Sequence, residues 1–421
     1  MNVVLRPSTV SGSVTIPPSK SQSHRAIIAA SLAPGKSTIS NIAYSDDVIA
    51  TIGAMEKIGA KFVKLPHQLH VTGVRRLAVT DDNFIDCNES GSTLRFILPI
   101  FSLVKDKVVF TGKKSLFKRP MNLYENLWKK QGLHYQATED TILTQGTLTP
   151  GNYEIPGNVS SQFISGLLFT LPLLKADSTL QVVGDFESRQ YVDMTIETLA
   201  QFHIKIHVDD QTFRIPGNQT YHPTNVTVEG DFSQLAFFAV MGILGGSVLC
   251  KNVPFQTHQP DRKMLDFIRD MGGVYEVKEQ GILFRKSNTV GCSLDVSQCP
   301  DIAPVLSVLA ACSEGKSQIV NAARLKMKES NRLATTAEMI QKLGGVCDMG
   351  EDSLSIQGVP SFQGGTFESH HDHRIVMSVA AASVRAKENI VIHGAEAVNK
   401  SYPNFFQDLA SLGVQVLIKE E

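Results

Sequence analysis

The sequence is poor in the features that mark several large classes of protein. Its 421 residues include one tryptophan and six cysteines, and 40 Lys plus Arg against 41 Asp plus Glu leave a formal net charge of −1. Proteins that bind nucleic acid or anionic membranes are usually basic, so we expect any anion site here to be local. The composition, 42% hydrophobic and 19% charged, is that of an ordinary globular protein. Its length predicts at least two lobes.

Disulfides, structural zinc and membrane segments are not indicated either. The cysteines are scattered without a Cys-x-x-Cys pair, which favours free thiols in a reducing compartment. The opening residues, 1–10, lack the apolar core of a secretory signal and the Arg/Ser bias of a transit peptide. The most apolar run, Leu235 to Cys250, contains three glycines and is short for a membrane span, so we expect a buried core helix there. These observations predict a cytoplasmic protein.

An internal repeat organises the whole chain. Six times an amphipathic helix pattern ends at a stop, usually glycine, and a short strand pattern follows. The stops lie 69 to 73 residues apart, at Gly59, Gly132, His203, Gly272, Gly344 and Gly413. A glycine just past a helix permits the left-handed conformation that ends it.

Each repeat also contains an earlier helix pattern that opens with small polar residues, as in SQSHRAIIAASL (21–32), and a β-rich segment such as STISNI (37–42). We therefore predict an α/β (α+β) protein built from six βαβαββ units, three in each lobe. A general α/β sheet protein is the alternative. The border falls in VEGDFSQ (228–234), which predicts one domain of 19–229 and another of 1–18 plus 230–421 that borrows the N-terminal strand. Two crossings, near Pro18 and Glu229, could then act as a hinge that closes on a ligand.

The starts of the first helices are candidate anion sites, because free backbone N–H groups and the helix dipole attract negative charge. Cations recur at these starts and in the following loops: Lys20, Arg25, Arg119, Lys328, Arg332, Arg374 and Lys400. Any one of them alone could be a solvated surface charge. Together they occupy equivalent places in different repeats, which favours an anion site.

Single motifs leave structural alternatives open. PSKSQSHR (18–25) could be a phosphate cradle or a capped helix start. SGSTLR (90–95) could place a glycine where the backbone approaches a ligand closely, or it could form a simple turn. KMKESNR (326–332) could equally form a surface helix with salt bridges. In HDHR (371–374) we expect the two histidines on opposite sides of a helix, and since no third ligand cluster is evident we predict no metal site.

Taken together, these segments resemble the 5-enolpyruvylshikimate-3-phosphate synthase family of the enolpyruvyl transferases, over essentially the whole chain. The resemblance implies that family's two-lobed, inside-out α/β barrel. The motifs that carry it are SKSQSHRA (19–26), FKRPM (117–121), VSSQF (159–163), PDIA (300–303), KESNR (328–332), DHR (372–374) and NKSYPNFF (399–406).

Three positions depart from the family pattern. The family's Asn-Ala-Gly segment begins with Glu89 here, although Gly91 precedes the following arginine at the same spacing as in the family. An asparagine often found four residues before the Lys-Glu pair is Arg324, and the Asp before the arginine of that segment is Asn331. The related UDP-N-acetylglucosamine transferases usually carry a cysteine in the second-unit loop, and TGKKSLFKRPM (111–121) has none, which favours shikimate 3-phosphate.

The resemblance implies an addition of an alcohol to C2 of phosphoenolpyruvate, followed by loss of phosphate, without a metal or organic cofactor. Asp301 would be the base on the hydroxyl and Glu329 the acid at C3, with Lys20 close by. A neighbouring Lys328 favours the ionised form of Asp301, and burial favours the acid form of Glu329.

The same resemblance implies the residues that bind each substrate. Those for phosphoenolpyruvate are Lys20, Gly91, Arg119, Gln162, Arg332, Arg374 and Lys400. Those for shikimate 3-phosphate are Lys20, Ser21, Arg25, Ser160, Ser161, Gln162, Ser188, Asp301, Arg324 and Lys328. Tyr191 could stack on the shikimate ring or be a half-buried core tyrosine.

The expected partners are therefore these two small molecules, with neither nucleic acid nor membrane, and the expected state is a monomer. The closest functional alternative is a UDP-N-acetylglucosamine 1-carboxyvinyltransferase. A non-catalytic binding protein of the same fold is disfavoured by the presence of both Asp301 and Glu329. An RNA-binding repeat protein is disfavoured by the net charge of −1 and the single tryptophan.

Overall fold

The computed structural model describes residues 1–79 and 82–419, and the chain divides into two compact units. The central unit is Pro18–Glu229, and the composite unit joins Met1–Pro17 to Gly230–Glu421. Each unit encloses an apolar core of its own.

Helices and strands are interspersed along the described chain. The α-helices are α1 (Lys20–Leu32), α2 (Asp46–Glu56), α3 (Gly91–Phe101), α4 (Lys114–Phe117), α5 (Asn122–Lys130), α6 (Ser161–Thr170), α7 (Arg189–Gln201), α8 (Phe232–Gly245), α9 (Lys263–Asp270), α10 (Ala303–Ala311), α11 (Arg332–Lys342), α12 (His373–Ala382) and α13 (Phe405–Ser411). The strands are β1 (Asn2–Leu5), β2 (Val10–Thr15), β3 (Gly35–Ser40), β4 (Lys61–Leu65), β5 (Gln68–Gly73), β6 (Phe84–Asp86), β7 (Val108–Thr111), β8 (His134–Ala137), β9 (Thr141–Gln145), β10 (Asn152–Pro156), β11 (Ser178–Val183), β12 (His207–Asp209), β13 (Thr212–Ile215), β14 (Val226–Thr227), β15 (Gly246–Lys251), β16 (Val274–Lys278), β17 (Gly281–Arg285), β18 (Ser293–Asp295), β19 (Lys316–Val320), β20 (Val346–Met349), β21 (Leu354–Gln357), β22 (Gly365–Glu368), β23 (Ile390–His393) and β24 (Val416–Lys419).

The strands form four-stranded sheets that all follow one plan. In the central unit the orders are β14-β3-β5-β4, β6-β7-β9-β8 and β10-β11-β13-β12, and in the composite unit β2-β15-β17-β16, β18-β19-β21-β20 and β22-β23-β1-β24. In every sheet the first pair is parallel and the other two pairs are antiparallel. In four of the sheets a helix connects the parallel strands, as a crossover requires, whereas β3 and β14, and β2 and β15, lie far apart along the chain. The six repeats of a βαβαββ unit that the sequence predicts are confirmed.

The N-terminal segment supplies two strands rather than the single one expected. β1 lies between β23 and β24, and β2 pairs in parallel with β15. Because β1 fills an inner position, the last sheet of the composite unit is complete only with residues from the start of the chain.

The helix stops adopt the conformation that the pattern predicts. All six residues have positive φ, from 65° at His203 to 98° at Gly413. His203 shows that the stop depends on the left-handed backbone, which glycine adopts most easily but other residues can also adopt.

The first helices form the core of each unit. In the composite unit α8, α10 and α12 pack against one another, and in the central unit α3 packs against α1 and α6. The apolar run at 235–250 is buried as expected, but its helix, α8, ends at Gly245 and the remainder belongs to β15. None of the helices within the described ranges combines the length and the hydropathy needed to cross a membrane.

Candidate active site

Lys20 opens the first helix of the central unit. The Ser19 side chain caps α1 by accepting from the Gln22 amide, and Lys20 follows as the first helical residue. The Lys20 Nζ donates to Oδ2 of Asp47 at 2.7 Å, and both side chains are largely buried. Asp47 lies in the first turn of α2, where a carboxylate is favoured by the helix dipole. The lysine is thereby held in one place next to a counter-charge.

Arg25 lies one turn further along α1 and is fully buried. Its three guanidinium nitrogens donate to the Ser21 and Tyr191 carbonyls and to Oγ1 of Thr195, at 2.6 to 2.8 Å, and the group stacks over the Phe96 ring. Burial lowers the pKa of Arg25 to about 10, against a raising effect of Tyr191. The arginine stays charged at neutral pH and fastens α1 to α7.

A chain of buried side chains connects α1, α2 and α3. Nδ1 of His24 lies 2.6 Å from Oγ1 of Thr51, which lies 2.6 Å from Oγ1 of Thr93, which in turn donates to Oγ of Ser90 at 2.7 Å. Burial, the largest effect, lowers the pKa of His24 to about 3. Its imidazole is therefore neutral at physiological pH, and the chain fixes the start of α3 relative to α1.

The start of α3 gathers a set of polar side chains that we name the Gly91 cluster: Gly91, Ser92, Arg95, Arg119 and Gln162. A Cβ on Gly91 would lie 2.9 Å from Nη1 of Arg119 and 3.8 Å from Oε1 of Gln162. Arg95 donates to Oε1 of Gln162 at 2.8 Å, and Nε2 of Gln162 donates to Oγ of Ser92 at 2.9 Å. The bare Cα of Gly91 thus leaves space beside an arginine at a helix N-terminus, which suits an anion.

All four candidate serines of the central unit stand at helix starts, and Ser21, the second residue of α1, is half-buried. Ser160 caps α6 by accepting from the Gln162 amide at 3.3 Å, and Ser161 is the first residue of that helix. Ser188 precedes α7 with a left-handed φ of 53°. Ser160, Ser161 and Ser188 are buried, and α6 packs against α7.

Arg332 is the centre of the site in the composite unit. Its guanidinium donates from Nη1 to Asp301 at 2.9 Å, from Nη2 to Glu329 at 2.5 Å and from Nε to Asp372 at 2.8 Å. The side chain is 1% exposed. Arg332 is the first residue of α11, which Asn331 caps. We name the set Asp301, Lys328, Glu329, Arg332, Asp372, Arg374 and Lys400 the Arg332 cluster.

Asp301 and Lys328 form an ion pair, and burial and the partner's opposite charge shift the pKa of each group in opposite directions. The Lys328 Nζ donates to Oδ1 of Asp301 at 2.9 Å. Burial would raise the pKa of Asp301, but the neighbouring cations Lys328, Arg332 and Arg374 outweigh it and hold the pKa well below its usual value. Burial lowers the pKa of Lys328, and Arg324 and Arg332 add to that effect against the attraction of Asp301. Asp301 is therefore ionised at neutral pH.

Glu329 lies between two cations. Besides the contact with Arg332, its Oε1 is 3.6 Å from Nζ of Lys400, at the end of a 3-10 helix, Ala395–Lys400. Both side chains are largely buried, at 10% and 6% exposure. The two cations favour a carboxylate and so oppose the effect of burial that the sequence analysis considered alone.

Arg374 belongs to the first turn of α12. Asp372 caps this helix by accepting from the Arg374 amide at 2.9 Å. The Arg374 guanidinium donates to the carbonyl and to Oγ of Ser233, at 3.2 and 2.8 Å, and lies 3.8 Å from Asp301. α8 and α12 therefore hold the arginine jointly.

The structure brings many of the predicted residues together. The two carboxyls predicted to be catalytic, Asp301 and Glu329, meet at Arg332, with Lys328, Arg374 and Lys400 around them. Arg324 is buried and acts electrostatically on Lys328. In the central unit Gly91, Arg119 and Gln162 are neighbours, while Lys20 pairs with Asp47. The assignment of these residues to particular substrates stays a prediction.

Sequence reasoning missed several contributors. Asp47 and Asp372 neutralise cations of the site, Arg95 orients Gln162, and Ser233 anchors Arg374. An acid at the start of a helix was the available signal for both aspartates.

The placement of the histidines in HDHR was wrong. α12 begins at His373, and His371 precedes it with a left-handed φ of 55°. Asp372 lies between the two histidines and caps the helix, so they do not share a helix.

Comparisons with known proteins agree with these motifs. A family model described as EPSP synthase (3-phosphoshikimate 1-carboxyvinyltransferase) matches residues 4–409. A 3-phosphoshikimate 1-carboxyvinyltransferase of Clostridium perfringens is 44% identical over 416 residues, 98% of this chain and 98% of that protein. The solved structure of an EPSP synthase from Acinetobacter baumannii has a TM-score of 0.81 at 26% identity, over 99% of this chain and 100% of that one. The enolpyruvyl transferase NikO from Streptomyces tendae shares the fold, with a TM-score of 0.81 at 15% identity over 99% of this chain and 98% of that one.

These likenesses confirm the family resemblance and the predicted mixed α/β fold of repeated units. They extend over nearly the full length of this chain and of its relatives, and they include the segments that form both clusters. The chain belongs to the EPSP synthase (3-phosphoshikimate 1-carboxyvinyltransferase) family.

Proposed function

We propose that this chain transfers the enolpyruvyl (carboxyvinyl) group of phosphoenolpyruvate to the 5-hydroxyl of shikimate 3-phosphate and releases phosphate. The observation that carries the proposal is the pair of carboxyls, Asp301 and Glu329, held on two nitrogens of the buried Arg332 guanidinium. Family membership supports the choice of substrates. The reaction is a step of the shikimate pathway, which leads to chorismate and the aromatic amino acids.

The proposed reaction is an addition followed by an elimination. In the addition the hydroxyl oxygen bonds to C2 of phosphoenolpyruvate, its proton passes to Asp301, and C3 takes a proton from Glu329. Glu329 must carry a proton for this step, and the negative charge of bound phosphoenolpyruvate favours that form because it offsets Arg332 and Lys400. In the elimination the bond from C2 to the phosphate oxygen breaks, and C3 returns its proton to Glu329 as the double bond re-forms. The proton held by Asp301 leaves with the phosphate, so both carboxyls return to their starting forms. A well-placed acid or base contributes about 10²- to 10⁴-fold each to such a rate. No cofactor takes part in the proposal.

The electrostatics of Asp301 support its role as the base. The cations around it lower its pKa, so the basic carboxylate form is present at neutral pH. The same cations weaken the carboxylate as a base. The Lys328 Nζ donates to Asp301 at 2.9 Å, and because its pKa is lowered it exchanges a proton with the carboxylate more easily than an ordinary lysine would. The third proposed catalytic residue, Lys20, would add positive charge near the reacting phosphate.

The proposal assigns residues of both units to phosphoenolpyruvate. They are Lys20, Gly91, Arg119, Gln162, Arg332, Arg374 and Lys400. The open space at Gly91 beside Arg119 fits a phosphate, because a helix N-terminus and a guanidinium both donate hydrogen bonds to anions. Arginines bind carboxylates and phosphates through two parallel hydrogen bonds, which fixes the ligand's orientation.

Shikimate 3-phosphate is assigned a second set of residues. They are Lys20, Ser21, Arg25, Ser160, Ser161, Gln162, Ser188, Asp301, Arg324 and Lys328. The serines stand at helix starts, where hydroxyl and backbone N–H groups together bind phosphate. Arg324 replaces the asparagine usual in the family, and its longer cationic side chain would add a charge–charge contact.

The UDP-N-acetylglucosamine reaction is the disfavoured alternative. The loop at 111–121 lacks the cysteine usual in that family, and the similar curated proteins carry the shikimate name. We also propose that the protein is cytoplasmic and monomeric. Its six free cysteines support a reducing compartment, and light scattering on a sizing column would test the monomer.

Phosphate release tests the proposed function. Purified protein should release phosphate when phosphoenolpyruvate and shikimate 3-phosphate are both present, and neither substrate alone should suffice. Turnover with UDP-N-acetylglucosamine in place of shikimate 3-phosphate would move the assignment to the alternative. An equal background for the wild type and Asp301→Asn, with both substrates present, would favour a non-catalytic binding protein.

A further inference from the structure

We infer that Glu89 is a positioning residue for phosphoenolpyruvate, because its carboxylate holds the loop that carries Arg119 against the start of α3. The inference rests on the proposed function, since it concerns the binding of the same substrate. Glu89 stands two residues before Gly91, at the position where the family usually has asparagine.

The backbone brings the two segments together first. The Cys87 amide donates to the Thr111 carbonyl at 2.9 Å, and the Lys113 amide donates to the Asn88 carbonyl at 2.8 Å. A Cβ on Gly112 would lie 2.3 Å from that Asn88 carbonyl oxygen, so the close approach requires glycine. Residues 111–113 therefore run directly beside residues 87–88.

The Glu89 side chain then adds two contacts of unequal strength. Oγ of Ser115 donates to Oε1 of Glu89 at 2.6 Å, and Nζ of Lys113 lies 3.6 Å from Oε2. Glu89 is 11% exposed and Lys113 is 64% exposed. A short hydrogen bond to a buried carboxylate is strong, whereas an ion pair with an exposed lysine contributes little. The bond from Ser115 is thus the main restraint.

One helical turn transmits this restraint to Arg119. Ser115 is in α4, where the Leu116 amide donates to the Lys113 carbonyl at 2.9 Å and the Arg119 amide donates to the Leu116 carbonyl at 3.2 Å. Leu116 is buried and anchors the turn in the core. The Arg119 guanidinium ends 2.9 Å from the point that a Cβ on Gly91 would occupy. Holding Ser115 therefore holds Arg119 at the site proposed for phosphate.

The negative charge of Glu89 distinguishes this role from direct binding. A carboxylate near a phosphate repels it, so Glu89 benefits the substrate by holding the loop through the bond to Ser115 and not by direct contact. Glu89→Gln keeps an oxygen that can accept from Ser115 and removes the charge. The inference therefore predicts that glutamine preserves phosphoenolpyruvate binding and that alanine weakens it.

Steady-state kinetics with each substrate varied in turn test the inference. Glu89→Ala and Ser115→Ala should each raise the KM for phosphoenolpyruvate about 5- to 20-fold, the size expected for one charge-assisted hydrogen bond. The KM for shikimate 3-phosphate should stay within about twofold, and Glu89→Gln should stay within about threefold of the wild type for both substrates. The double variant Glu89→Ala/Ser115→Ala should be no worse than Glu89→Ala, because both changes remove the same bond. Lys114→Ala, on the same turn but 70% exposed, is the control that should change neither KM.

Three results would overturn the inference. These are an unchanged KM for phosphoenolpyruvate in Ser115→Ala, an equal rise of both KM values in Glu89→Ala, and additive effects in the double variant. If Glu89→Ala does not fold, Ser115→Ala decides alone, since it removes the same bond from the loop side. A wild type that releases no phosphate would instead refute the proposed function, so the two failures are distinguishable.

Discussion

Arg332 donates to both carboxylate oxygens of Asp372, from Nε at 2.8 Å and from Nη2 at 3.2 Å, and the two side chains are 1% and 0% exposed. This two-point contact sets the plane of the guanidinium, so that Nη1 and Nη2 face Asp301 and Glu329. Burial alone would lower the pKa of Arg332, but the three carboxylates raise it above its ordinary value. Asp372 is therefore what orients the two proposed catalytic carboxyls.

Removing Asp372 should cost both stability and activity. Asp372→Ala leaves a buried arginine with less counter-charge and also removes the cap of α12, so we expect a loss of about 3–5 kcal/mol in the free energy of unfolding. Asp372→Asn keeps an acceptor for the cap and should lose less. Urea unfolding measures the stability of both variants, with the exposed Asp348→Asn as control. A loss below about 1 kcal/mol in Asp372→Ala would contradict this account.

Replacing Asp301 separates chemistry from binding. Asp301→Asn removes the proposed base but keeps the size of the side chain, so kcat should fall about 10²- to 10⁴-fold. The Kd for shikimate 3-phosphate, measured by calorimetry, should change far less, because many other groups bind this substrate. Asp348→Asn should keep the kcat of the wild type. A kcat within about threefold of the wild type in Asp301→Asn would remove Asp301 from the mechanism.

Gly91→Ala should raise the KM for phosphoenolpyruvate and leave the KM for shikimate 3-phosphate unchanged. Its Cβ would come within 2.9 Å of Nη1 of Arg119, closer than side-chain contacts allow, so the guanidinium must shift. We expect the KM for phosphoenolpyruvate to rise about tenfold or more, equivalent to about 1.4 kcal/mol, with the KM for shikimate 3-phosphate unchanged. Gly53→Ala is the matched control, since nothing lies within 4 Å of the added Cβ in α2. That control should keep both KM values and gain up to about 1 kcal/mol in stability.

The buried His24 predicts a loss of stability in acid. Its pKa is lowered from 6.5 to about 3 by burial in the folded protein, so between these values the unfolded chain binds the extra proton. The stability contributed by the neutral ring is complete above pH 6.5 and is lost as the pH falls toward 3. Between pH 7 and pH 4.5 the wild type should lose about 2–3 kcal/mol more than His24→Asn.

Unfolding midpoints in urea at several pH values measure this difference. The exposed His134→Asn is the control and should follow the wild type throughout. If the stability of the wild type and of His24→Asn changed with pH in parallel, His24 would bind its proton equally well in the folded and unfolded states, which would contradict the prediction.

Much of the fold could be predicted because it repeats. Six helix stops at nearly constant spacing define the unit, and their positive φ angles follow from the chemistry of helix ends. The two strands in residues 2–15 were only partly anticipated, since short strands at a chain end show no periodicity that reveals their partners. The end of α8 at Gly245 was missed because an apolar run fits a buried helix and a buried strand equally well.

The candidate site was predictable in its residue types but not in its pairings. Motifs name Asp301, Glu329 and Arg332, yet only the structure reveals that one guanidinium holds both carboxyls. The partners Asp47 and Asp372 are distant in sequence from the cations that they neutralise, since Asp47 follows Lys20 by 27 positions and Asp372 follows Arg332 by 40. Such contacts arise from helix packing, which local patterns do not encode.

The identity of the acceptor is the central claim, and a competition experiment tests it most directly. Phosphoenolpyruvate labelled with carbon-13 at C2 is offered with equal amounts of shikimate 3-phosphate and UDP-N-acetylglucosamine, and the products are identified by NMR. We predict one carboxyvinyl ether of shikimate 3-phosphate for each phosphate released, with the nucleotide sugar unchanged. A labelled ether on UDP-N-acetylglucosamine, or phosphate release without consumption of shikimate 3-phosphate, would contradict the claim.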